Sequence, residues 1–271
     1  MMTYNIIIIS HLFTHQPWFR SQVLNGAVSM MNSASIAQSV QEYELSHVRN
    51  HHRYNNDRQA ADGTTKDTSS TYRDGRDGEH AGLLRYIVGG ALDSMLSLAT
   101  ALLSVTRLFR VGPHESALRY ASRSPGPRGV ELRQVRLDRL AHFAFVCLLG
   151  ALSWQWLLMC YLPAVFLGLV LVNVQNYYRH FGAEPDSRYA NSVSHYGRVY
   201  NLLTFNDGYH QEHHLRPPTH WSRLPDVRSR YRAELDSVDR VISPVPAILG
   251  FLDIGRAQGN PKKTTVTGAD R

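Results

Sequence analysis

The sequence predicts an all-α protein: an integral membrane helical bundle with a cytoplasmic cap built from histidine clusters. Two observations predict it. From Leu140 to Tyr178 there is no Asp, Glu, Lys or Arg, and a helix rising about 1.5 Å per residue needs only about 20 apolar residues to cross a bilayer. Three histidine clusters, HLFTH, HVRNHH and HQEHH, lie outside that run, two before it and one after.

Taken in order, the opening MMTYNIIIIS has no basic leader and no small-residue cleavage site, so it does not read as a secretory signal. The stretch from Val23 to Leu45 has small and apolar residues at helical spacing but many Asn, Ser and Gln, which predicts a helix near the membrane interface. Residues 58–80 are rich in turn formers and nearly free of large apolar groups, and predict an exposed loop. A second helical pattern follows from Leu83. Its Asp93 favours a position along the membrane surface or against protein over a full crossing.

SRSPGPRG at 122–129 reads as a turn. The charge-free run then predicts a hairpin over about 140–178, Leu140 to Cys160 and Leu162 to Tyr178, broken near Pro163, where a helix loses an N–H donor. The bland alternative, a buried helix pair in a soluble protein, would ordinarily show a charged face. A polar segment from Arg179 to Trp221 carries the last histidine cluster, and an amphipathic region follows. No internal repeat is present. The reading is one membrane domain over 1–255 and a disordered tail over 256–271.

The formal net charge of +7 comes almost entirely from arginine. Arg107, Arg110, Arg119, Arg123, Arg128, Arg133, Arg136 and Arg139 all lie in the approach to the hairpin. That distribution marks the cytoplasmic side of a membrane and suits anionic headgroups. No nucleic-acid motif accompanies it, so nucleic acid is not expected as a partner. The two cysteines, Cys147 and Cys160, both fall inside the apolar run, which leaves no disulfide framework and no C-x-x-C metal site. Any metal would be held by histidine.

His11 and His15, His47, His51 and His52, and His210, His213 and His214 form the three clusters. Side chains three or four positions apart share a helix face, so each cluster can aim two imidazoles one way. HLFTH alone is more often structural. The two triple clusters together arise by chance in only about one such chain in a thousand. The hairpin is an even number of crossings, so it returns the chain to the side it left and lets the clusters converge on one face. His80, His114, His142 and His220 read as ordinary loop or core histidines, and His195 as either structural or a support for the site.

These clusters resemble the three boxes of the membrane-bound fatty acid desaturase and hydroxylase superfamily, over roughly residues 9 to 226. NYYRH at the end of the hairpin and NDGYHQEHHLRP leading through the third cluster are similar to that family's motifs as well. The resemblance implies a non-haem centre of two iron ions held by His11, His15, His47, His51, His52, His180, His210, His213 and His214. It also gives Asn176 or Asn206 a place beside a metal-bound water. One departure stands out. The family normally has a full membrane helix before the first box, whereas ten residues precede His11, so the chain reads as truncated, as misassigned at its start, or as lacking that helix.

Neutral imidazole suits iron and leaves positions open for dioxygen. The implied activity is O2-dependent desaturation of a fatty acyl chain or lipid, with electrons from a separate ferredoxin or cytochrome and its reductase. The alternative within the superfamily is a hydroxylase or ketolase acting on alkane, sterol or carotenoid. A different class is a histidine-rich membrane protein that binds metal without redox turnover. Carboxylates commonly orient metal-bound histidines, and Asp57, Asp207 and Glu212 are candidates near the boxes. Arg49, Arg53 and Arg216 read as a solvated face or as contacts to a headgroup or an acidic donor.

Overall fold

The computed structural model describes residues 2–105, 128–257 and 263–264, and within them the regular structure is helical apart from one two-residue strand pair, Arg240–Val241 with Lys263–Thr264. Arg107, Arg110, Arg119, Arg123, His114, most of the turn at 122–129 and most of the tail lie outside the described residues. The described residues fall into two compact units. The first is residues 1–50 and 88–170, and the second is 51–87 and 171–271.

The first unit begins with α1 (Met2–His15) and α2 (Gln22–Ile36). The helix expected across Val23 to Leu45 is two helices. Ala37 adopts φ 58°, ψ 27°, which ends α2, and Ser39 caps α3 (Val40–Ser46) by accepting the Glu42 N–H. A π turn, His47–His51, leads into the short α4 (His52–Tyr54). Helix α5 (Gly90–Val105) follows another π turn, and Asp93 on it is exposed.

α6 (Arg128–Trp156) is half polar and half apolar, and each half finds its own partners. On the polar half, Asp138 accepts from the Ser29 and Ser39 hydroxyls, each at 2.9 Å, and from the Gln41 N–H at 3.1 Å. Arg139 pairs with Glu42 and Arg49 with Glu131. These contacts tie α2 and α3 to α6 through buried groups that would be costly to leave unpaired.

The apolar half continues through a π turn, Leu157–Tyr161, into α7 (Leu162–His180). Among the described residues, Gly129–His180 is the stretch long and apolar enough to cross a membrane, and only 22% of its apolar window is buried. It is not straight. Ser153 sits at φ −164°, ψ 100°, outside helical dihedrals, and the chain turns back there. Tyr161 packs on Phe145 with ring centroids 5.6 Å apart, in a cluster with Val165, Val146 and Leu149. The sequence placed the break at Pro163, but the helix runs through it. The π turn absorbs the missing donor: Leu162 N–H bonds to the Leu157 carbonyl, five residues back. Leu148, Leu152, Trp154, Trp156, Met159 and Leu167 point outward, as residues covered by lipid would.

The second unit holds the rest of α7, α8 (Arg198–Leu203), α9 (His210–Leu215), α10 (Leu224–Arg230) and α11 (Arg232–Asp236). Residues 58–80 depart from the expected exposed loop. Asp67, Ser70, Thr71 and Tyr72 are buried, because polar partners inside the loop replace the apolar residues that the sequence lacks. Asn56 Oδ1 accepts the Thr71 N–H at 2.7 Å, and the Tyr177 hydroxyl reaches the Ala81 carbonyl.

Candidate metal centre

Two helices and a π turn assemble the histidine group of the first unit. His11 and His15 lie on α1 four positions apart, and His47 opens the π turn after α3. The ring centroids of His11 and His47 are 4.5 Å apart, those of His11 and His15 5.0 Å, and those of His15 and His47 5.2 Å. Tyr43, one turn before, stacks on His47 with an interplanar angle of 19°. The spacing of HLFTH thus does what an i, i+4 pair on a helix can do.

A second group lies in the second unit. His51, His180, His210 and His214 are all buried, and each places one ring nitrogen within 4.8 Å of the others. His180 ends α7, His210 and His214 stand one turn apart on α9, and His51 closes the π turn. Nε2 of His210 lies 3.4 Å from Nε2 of His180. His52 packs against His213 and His214, with centroids 4.7 and 4.6 Å away. The middle box is therefore divided: His47 joins His11 and His15, while His51 joins the third box.

What turns these rings inward is what holds their outer nitrogens. His51 Nδ1 lies 2.7 Å from Asp67 Oδ2, His180 Nδ1 3.2 Å from the Asn191 carbonyl, and His214 Nδ1 3.0 Å from Asn55 Oδ1. Each acceptor holds Nδ1 on the outside of the group and turns Nε2 to its centre. His214 Nε2 is buried with no hydrogen-bond partner among the described residues. Burial holds the His210 and His214 rings well below the ordinary histidine value, so both are neutral at pH 7. Four buried imidazoles whose ring nitrogens converge, one of them otherwise without a hydrogen bond, fit a divalent transition metal.

The five supporting residues expected from sequence sit further out. Asn176 donates to the Ser69 carbonyl and the Tyr86 hydroxyl, and Asn206 to the Trp221 carbonyl. Asp57 accepts the backbone N–H groups of Lys66 and Asp67. Asp207 accepts from Gln175 and Tyr200 and pairs with Arg179. Glu212, fully buried, accepts the Ser194 and Tyr196 hydroxyls at 2.8 and 2.7 Å. Among the described residues none of the five bonds to a histidine ring. His195 donates from Nδ1 to the Ser243 carbonyl at 2.9 Å and so ties down the segment before α8. Of the arginines flanking the boxes, Arg49 is committed to Glu131 and Glu44, Arg53 lies over the Tyr54 ring, and Arg216 reaches Tyr231.

Four residues that reach the rings, Asn55, Asp67, Ser69 and Asn191, are absent from the sequence reading. Asn55 carried a weak signal, directly after the box and of a type that tolerates the left-handed conformation it adopts (φ 50°, ψ 50°). Asp67 carried none that distinguishes it from the neighbouring Asp57 and Asp62.

Comparison with known proteins follows the same direction. The fatty acid desaturase family matches residues 1–245. A sphingolipid delta(4)-desaturase of Candida albicans (strain SC5314 / ATCC MYA-2876) is 44% identical over 64 residues. That segment is 23% of this chain and 17% of the relative, so the match spans less than a fifth of the relative's length. No solved structure matches.

Proposed function

The chain belongs to the fatty acid desaturase family, and from that premise we propose that it is an integral membrane oxygenase that introduces a double bond into a fatty acyl chain or lipid. The observation that carries the reading is the buried group His51, His180, His210 and His214, whose ring nitrogens converge. These four would hold one iron ion. On the resemblance of the boxes alone, His11, His15, His47, His52 and His213 are the proposed ligands of a second.

Iron, when bound, supplies the activation of dioxygen and the oxidising power that removal of two vicinal hydrogens from an unactivated chain requires. The chain's own residues do the rest. Burial keeps the His180, His210 and His214 rings neutral, so each keeps a lone pair for the metal. The hydrogen bonds at Nδ1 hold the rings in one orientation, and close burial of all four keeps bulk water away from the reacting centre. Electrons are proposed to come from a separate ferredoxin or cytochrome with its reductase. The histidine boxes are proposed to face the cytoplasm, on the strength of the arginine-rich approach to the hairpin.

The test is lipid analysis of a host with and without the expressed chain, set against a chain carrying His51→Ala. New double bonds that vanish with the substitution support the reading. New hydroxyl or keto groups would replace it with the hydroxylase alternative. Purified protein that holds zinc and, after iron loading with reductase and donor, consumes no O2 would replace it with metal binding without turnover.

A further inference from the structure

The segment after the middle box folds back on its own histidine, and the group it delivers there is a carboxylate. Asp67 is wholly buried, sixteen residues beyond His51, with one oxygen on the ring and the other on its own loop. Oδ2 lies 2.7 Å from His51 Nδ1 and also accepts the Asn56 N–H at 2.8 Å. Oδ1 accepts both the N–H and the hydroxyl of Ser69 at 2.8 Å, and the Ser69 hydroxyl itself lies 3.1 Å from His51 Nδ1. The loop is in turn pinned from behind. Asp57 Oδ1 accepts the Asp67 N–H, Asn56 accepts from Thr71, and the Tyr86 hydroxyl donates to the Ser69 carbonyl.

A carboxylate carrying three backbone and hydroxyl donors besides the ring is satisfied as an anion, even where bare burial would neutralise it. It cannot be displaced without leaving those donors unpaired. Asp57, Asp207 and Glu212, the carboxylates expected from sequence to support the boxes, do not reach a ring. We infer that Asp67 is the positioning residue of the metal site: its carboxylate keeps the His51 proton on Nδ1, fixes the plane of that ring and thereby sets the affinity of the four-histidine group for its metal. The inference rests on the metal reading proposed above and adds to it a residue that no comparison assigns.

The test is a cobalt(II) titration of the metal-free full chain in detergent, read by the visible absorption of cobalt bound to imidazole. A His11→Ala/His15→Ala parent reduces the signal from the first unit. Asp67→Asn keeps the shape of the side chain and removes its charge, whereas Asp57→Asn loosens the same loop without touching a ring. The expected result is a 10- to 100-fold weaker affinity for Asp67→Asn and less than threefold for Asp57→Asn. Added to His51→Ala, Asp67→Asn should cost less than threefold further, because its target ring is gone.

An affinity for Asp67→Asn within threefold of the parent would overturn the inference, and so would equal losses in the two loop variants. A second measurement needs no change at Asp67 and survives its failure to fold. In nitrogen-15 histidine spectra of the metal-free chain, with His51 identified by the signals lost in His51→Ala, a proton on Nδ1 supports the inference and a proton on Nε2 overturns it. No cobalt uptake by the parent would overturn both this inference and the metal reading beneath it, whereas uptake indifferent to Asp67 overturns this one alone.

Discussion

His142 Nε2 lies 3.1 Å from the hydroxyl of Tyr161, although a straight helix would hold the two residues, nineteen apart in sequence, about 28 Å from each other. The chain reverses between them, at Ser153, close to the midpoint of the pair. The same hydroxyl donates to the Ala34 carbonyl at 2.9 Å, so one phenol joins α2 to both arms of the reversal.

Tyr161→Phe therefore removes an acceptor from His142 and a donor from Ala34 in one step. The expected loss is about 1–3 kcal/mol of stability, seen as a lower melting temperature in detergent. Phe145→Leu, which keeps an apolar side chain beside the Tyr161 ring and removes no hydrogen bond, should cost less.

Gly208 stands two residues before His210, and its own N–H is accepted by Asn201 Oδ1 at 3.0 Å. A Cβ there would lie 2.3 Å from the His195 backbone carbonyl and 2.7 Å from Asn201 Oδ1. The backbone must move to admit it. Gly208→Ala is expected to destabilise the protein by about 1–3 kcal/mol and to reduce bound metal per chain, measured by elemental analysis of the purified protein.

His80 is held between the Tyr72 and Phe181 rings, where burial and the charges of Arg58 and Arg256 lower it to about 4 from 6.5. The unfolded chain takes up this proton first as pH falls. The contribution of a neutral His80 is thus complete above pH 6.5 and declines towards pH 4, by up to about 3 kcal/mol. In metal-free protein, whose buried box histidines weaken the fold over the same acidic range, the comparison is between chains: His80→Gln should show a shallower fall in unfolding free energy from pH 6.5 to 4 than the parent.

Metal that binds the folded chain and not the unfolded one adds stability by mass action, about 2.7 kcal/mol at a free concentration 100 times Kd. Chelation should lower the melting temperature, and return of iron(II) or cobalt(II) should restore it in proportion to the logarithm of concentration. A melting temperature indifferent to chelator would contradict a metal centre built on buried histidines.

The boxes were legible because ligand geometry on a helix leaves a periodic trace: His210 and His214 one turn apart, and His11 and His15 likewise. His180 came from the resemblance of NYYRH to the family's motif, since a lone histidine at the end of an apolar run has no period. Position along the chain misled where backbone chemistry had a second solution. Pro163 signals a break, yet a π turn with a five-residue hydrogen-bond offset lets the helix pass, and Ser153, an unremarkable residue, carries the reversal. The fate of residues 58–80 was illegible for a different reason. Hydropathy reports apolar burial, and this segment is buried through hydrogen bonds that pair Asn56 with Thr71 and Asp67 with His51.

The partners of the four rings also differ in how far along the chain they lie. His51 meets Asp67 across sixteen residues and His180 meets Asn191 across eleven, but His214 meets Asn55 across 159. Closing the last loop costs about 2 kcal/mol more entropy than closing the first. The short pairings can be made while the chain is still being synthesised, and the long one only after α9 has emerged. The His214 ring is therefore the last to be oriented, and a metal that needs all four rings would bind only once the third box is in place.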